Sequence, residues 1–73
     1  MRVEFKTDKR GYVLMLDQDL FGAYVLYRQW WGLQNRRGGT KRQVFLDKDA
    51  ATREFQRIQK TRLRRGYVSV DRR

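Results

Sequence analysis

Between Tyr24 and Phe45 two runs of β-branched and aromatic residues flank a centre holding two adjacent tryptophans, a glycine pair and a cluster of guanidinium groups. The first run, Tyr24 to Tyr27, leads into Trp30 and Trp31. The second, Gln43 to Leu46, returns after Gly38 and Gly39. That order predicts a long hairpin whose tip carries charge. On an extended strand consecutive side chains point to opposite faces. Trp30 and Trp31 therefore cannot both enter a one-sided core unless a bulge intervenes, and one of them is left for a partner.

The same hairpin holds Arg28, Arg36, Arg37, Lys41 and Arg42, with no acid between positions 28 and 46. Such a surface is expected to lack an internal counterion. Flat aromatic faces beside guanidinium forks suit nucleic acid, because rings stack on bases or sugars while arginine forks onto phosphate. The competing account is structural. A tryptophan on a strand of a small domain commonly belongs to the core, and at least one of the pair is expected to be mainly structural.

Seventy-three residues make one domain, 1–73, too small for a sequestered reaction centre. The chain has no cysteine and no histidine, which removes disulfides, thiolate or imidazole metal sites and the usual nucleophile and base pairs. The carboxylates Glu4, Asp8, Asp17, Asp19 and Glu54 show no pairing that suits catalysis, so no catalytic residue, metal or cofactor is expected. Against this stands the charge: 18 Lys or Arg and 8 Asp or Glu leave +10, which draws a protein to polyanions. No apolar run approaches a membrane span and Met1–Arg10 lacks a signal-peptide core. The expectation is a soluble cytoplasmic protein, nucleoid-associated if bacterial, with no membrane or small-molecule partner.

Along the chain, Arg2–Lys6 alternates as a half-buried strand, Thr7–Gly11 reads as a turn, and Tyr12–Leu16 as a central strand. Asp17, Gln18 and Asp19 read as a solvated turn rather than a calcium loop, whose glycine and distal glutamate are missing. Gly22 predicts a bend. Asp47 has the chemistry of a helix N-cap, with Asp49 in the first turn. Ala51, Phe55 and Ile58 form the buried stripe of that helix, Gly66 its stop, and Tyr67–Val70 a last strand before a loose tail at 71–73. The helix's later turns carry Arg57, Lys60, Arg62, Arg64 and Arg65, more cations than capping needs, which points to phosphate contact. The fold class is α+β: a small antiparallel sheet of four to five strands with one helix on a face.

Three stretches together, DLFGAYVLYRQWWGLQNRRGG, VFLDKDAATREF and RLRRGY, make residues 10 to 70 resemble the WGR domain, named for its Trp-Gly-Arg motif. That family includes the DNA-sensing module of certain poly(ADP-ribose) polymerases and many small stand-alone bacterial proteins. The resemblance implies a compact antiparallel sheet with one helix and a role in binding nucleic acid, DNA ends or breaks above all. It does not imply ADP-ribosyl transfer, which belongs to a separate catalytic domain. By position the motif tryptophan falls on Trp31, beside Gly32, with Trp30 competing for the assignment. Leu33 stands where the family has its arginine, and Asn35, which tolerates positive φ, where it has a glycine. Arg36 and Arg37 are placed to restore the charge with a different geometry.

The combined expectation is a non-catalytic module that binds nucleic acid, DNA ahead of RNA. Arg28, Arg36, Arg37, Lys41 and Arg42 form one side of a basic face, and Lys60, Arg62, Arg64 and Arg65 the other, with an exposed tryptophan stacking between. The alternative is an interaction module for an acidic protein or for self-association.

Overall fold

The computed structural model describes residues 1–35 and 37–70, so the expectations for Arg36 and for a loose tail at 71–73 lie outside the described residues. One antiparallel sheet is built from β1 (Arg2–Lys6), β2 (Arg10–Gln18), β3 (Tyr24–Gly32), β4 (Gly38–Phe45) and β5 (Val68–Val70), in the order β4-β3-β2-β1-β5. A helix, α1 (Lys48–Arg64), packs on one face. The architecture is the α+β one expected from the sequence.

β5 starts at Val68 instead of Tyr67, β4 ends at Phe45 instead of Leu46, and two larger departures from the sequence reading concern β2 and the glycine pair. β2 runs from Arg10 to Gln18, two residues longer at each end than the apolar run, because pairing with all nine residues of β3 carries the ladder past Asp17. Gly38 and Gly39 lie inside β4, opposite Trp31 and Trp30, so the hairpin tip is 33–37 and not the glycine pair. Arg28, Lys41 and Arg42 are consequently strand residues.

Local chemistry fixes each connection. The Thr7 hydroxyl accepts from the amides of Lys9 and Arg10, closing the β1–β2 turn. Asp47 caps α1 by accepting from the amides of Asp49 and Ala50. At the other end Gly66, with φ +88°, reverses the chain; its amide donates to Leu63 and that of Tyr67 to Arg62, the pattern of a Schellman stop.

Cross-strand partners share a face, so the register sorts the side chains. The helix side carries Leu16 with Leu26, Leu14 with Arg28, and Tyr12 with Trp30. Ala51, Phe55 and Ile58 close over this face and complete the core with Phe5 and Tyr67. Full burial of Phe5, Leu14 and Leu26 contributes about 1.5–3 kcal/mol each. Since α1 starts beside Phe45 and runs back along the sheet, its basic end arrives where β3 ends, β4 begins and the β1–β2 turn lies. No helix among the described residues is long and apolar enough to cross a membrane.

Candidate functional site

At that end of the sheet a cleft of about 650 Å³ opens. Its walls come from the β1–β2 turn (Lys9, Arg10), the hairpin (Arg28, Trp30, Trp31, Gly32, Gln34, Asn35, Arg37, Gly38), Tyr12, Arg62 and Tyr67. An adjoining recess shares Lys9, Arg10, Arg62 and Tyr67 with it and adds Thr7, Asp8 and Arg65.

The two indoles point to opposite faces, as strand alternation requires. Trp30 lies over Gly39 on the helix side and Trp31 over Gly11 on the open side; at either glycine a Cβ would run into the ring. Trp30 remains 38 % exposed and stacks on Tyr12, with 6.2 Å between centroids and 17° between planes. Trp31 is half-buried and reaches the cleft as well. Both indoles thus line the cleft, Trp30 from the helix side of the sheet and Trp31 from the open side.

Arg62 follows Ala51, Phe55 and Ile58 at the next helical step, which brings a cation onto the apolar stripe. Its guanidinium lies 4.8 Å from the Tyr12 ring centroid and 5.4 Å from that of Tyr67, and those rings meet edge to face. Among the described residues no acid lies within salt-bridge distance of Arg62, and its Nε is buried without a hydrogen-bond partner. Cation–π contact orients this group without neutralising it.

Arg28 behaves differently. It donates to Gln43 Oε1 at 2.8 Å and lies 3.9 Å from Glu54 of α1. The expectation of a hairpin without a counterion is thus corrected: the acid comes from the helix, three residues before Arg57. Glu54 also accepts from Arg57. That hydrogen bond holds the Glu54 carboxyl below its ordinary value, helped by the charges of Arg57, Arg28 and Lys41 and opposed by partial burial; Arg57 is raised in return.

The tip folds tightly. Gly32 donates to the Arg37 carbonyl at 2.7 Å, and Leu33 to that of Lys9 at 2.9 Å, which ties the tip to the β1–β2 turn. Asn35, which tolerates positive φ, does not adopt it. It accepts the Arg37 amide through its side chain instead, and its carboxamide fills the space where Gly32 has no Cβ.

Of the cations singled out from sequence, Arg28, Arg37 and Arg62 line the cleft, together with Trp30, Trp31 and Gly32, and Arg65 lines the neighbouring recess. Lys41 pairs across from Arg28 outside the cleft, and Arg42 faces the open side opposite Tyr27. Lys60 and Arg64 each sit two residues, about 200°, round the helix from Ile58 and Arg62, so they point away. The single basic face expected from all nine is narrower than supposed. Lys9, Arg10, Tyr12 and Tyr67 were not anticipated; the turn TDKRG carried the charge, but only the sheet order brings it to the hairpin. Among the described residues no cluster of acids could hold a metal ion.

Residues 3–73 match the family model described as WGR domain. No curated protein and no solved structure matches the chain.

Proposed function

The chain belongs to the WGR domain family, and from that membership we propose that it is a non-catalytic module that grips nucleic acid, DNA ahead of RNA, in the cleft at the end of its sheet. The observation that carries this reading is the convergence of Lys9, Arg10, Arg37 and Arg62 from three separate elements around the partly exposed Trp30. Lys9, Arg10 and Arg37 meet phosphates as exposed charges. Arg62, held by two tyrosines, offers a fixed guanidinium fork and takes the place of the arginine that Leu33 displaces.

Trp30 stacks on a terminal or unpaired base, a contact worth about 1–3 kcal/mol and indifferent to base identity. Sequence preference is accordingly weak, since neither the helix nor the tip is arranged as a reader of base edges. If about four phosphates are neutralised on a duplex, log K falls against log salt with a slope of about −3.6, at roughly −0.9 per phosphate.

The test is a fluorescence titration with blunt duplex, nicked duplex, single-stranded DNA and RNA at two salt concentrations, using Trp31→Phe so that Trp30 alone reports. Quenching with a steep salt dependence is expected, strongest where an end or nick offers a free base face. A slope flatter than about −2, or no quenching by any of the four, overturns the reading.

A further inference from the structure

Far from the cleft, the turn joining β2 to β3 leaves Leu20 and Phe21 100 % and 95 % exposed. The turn is firmly braced. Asp19 Oδ1 accepts from the amides of Phe21 at 2.8 Å and Ala23 at 2.9 Å, and the Asp19 amide donates to the Ala23 carbonyl. Gln18 Nε2 donates to the Gly22 carbonyl, and Gly22 takes φ +86°. So tied, the loop holds two apolar side chains outward with little left to order on binding. Leu46, 89 % exposed, follows Phe45, the register partner of Tyr24, and stands at the same end. Large apolar side chains bared together mark an interaction surface.

The charge at this end is reversed. Asp17, Asp19, Asp47 and Asp49, half of the chain's 8 acids, are gathered there with Lys48 and the amino terminus of Met1, which is bonded to the Leu16 carbonyl. The matching surface is an aromatic socket with cationic groups about it, and this chain carries one at its other end: the cleft lined by Tyr12, Trp30 and Tyr67, with Arg62 over two of those rings, and edged by Lys9, Arg10 and Arg37.

We propose that the Leu20–Phe21 turn of one copy inserts into the cleft of a second copy, head to tail. The nine residues of β3 separate the two ends by about 30 Å, so the contact forms between molecules and not within one. Such a heterologous contact propagates as a chain of copies instead of closing as a two-fold dimer. It is small, hence weak and salt-sensitive. Because the same cleft serves both partners, a polynucleotide and a neighbouring copy exclude each other wherever the protein is concentrated enough to associate.

Sedimentation equilibrium of the pure protein at low salt, without nucleic acid, tests this independently of whether the cleft binds a polynucleotide. The weight-average mass is expected to rise from 8.9 kDa toward about twice that or more as the concentration reaches the millimolar range, and to fall back when salt is raised. Phe21→Asp, which removes the insert, and Arg37→Glu, which alters the socket, are each expected to stay monomeric alone. Mixed, they retain one intact insert and one intact socket, and a capped 1:1 pair is expected. A wild-type protein monomeric at every concentration, a Phe21→Asp variant that associates like wild type, or a mixture that forms no pair overturns the proposal.

Discussion

Tyr12 and Trp30 are direct partners across β2 and β3, and their rings stack 6.2 Å apart at 17°. Tyr12 is buried while Trp30, which also lies over Gly39, keeps 38 % of its surface in solvent, so the pair forms a platform that is partly open at Trp30. Arg62 lies over the Tyr12 ring as well and sets the charge beside that platform.

The two tryptophans are expected to separate in mutagenesis. Trp30→Ala weakens nucleic-acid binding by about 1–3 kcal/mol, the loss of one stacked base, with a smaller loss of stability. Trp31→Ala bares Gly11 on the open face and shows the reverse order. Thermal melting and the titration above, run on both variants, check this.

Gly11→Ala is expected to destabilise the domain by about 1–3 kcal/mol, the usual range for overpacking. The new Cβ strikes the Trp31 indole, and this outweighs the gain of about 0.4–1 kcal/mol from a stiffer unfolded chain. Urea denaturation supplies the midpoint and slope.

Glu54 ties stability to acid pH. Its carboxyl is held below the ordinary value of 4.5 in the folded protein, chiefly by the Arg57 hydrogen bond, so its stabilisation is complete above that value and is lost as pH falls through the depressed one. Glu54→Gln should melt at a lower temperature at neutral pH and lose less on acidification than wild type. Melting curves across the acid range decide it.

Charge reversal should map the site. Lys9→Glu with Arg10→Glu is expected to weaken binding by at least tenfold and to flatten the salt slope by about 2. Lys60→Glu with Arg64→Glu, on the outward side of α1, changes net charge equally and is expected to act several-fold more weakly, through long-range attraction alone. Titrations at matched ionic strengths compare the pairs.

Arg62→Lys keeps the charge and loses the planar fork. A lower affinity with an unaltered salt slope is expected, because the number of neutralised phosphates stays the same while the fixed geometry goes.

Much of this fold is legible in local patterns. The Asp47 cap, the stripe of Ala51, Phe55 and Ile58, and the stop at Gly66 follow from periodicity and capping chemistry, and strand alternation alone requires that Trp30 and Trp31 part. What local patterns do not hold is adjacency. Lys9 and Arg10 join the cleft because β1 and β2 are central strands whose turn lies at the hairpin's end of the sheet. Glu54 neutralises Arg28 across the layer between helix and sheet. Arg62 was countable as a surplus cation, yet its place on the apolar stripe, four residues after Ile58, was the signal that separated it from Lys60 and Arg64.

The pairing of each indole with a glycine on the adjoining strand also guards the alignment of the sheet. Slide β3 by one residue against β2, and Trp31 would face Arg10 or Tyr12 in place of Gly11; slide it against β4, and Trp30 would lose Gly39 to Gly38 or Thr40. Such a slip turns every side chain of the strand to the wrong side. The hydrogen atom that stands in for a side chain at Gly11 thus acts as a keyhole that admits the Trp31 ring in this alignment of β2 and β3 and in neither one-residue slip, while between β3 and β4, where Gly38 lies beside Gly39, the alignment is guarded by which side each residue faces.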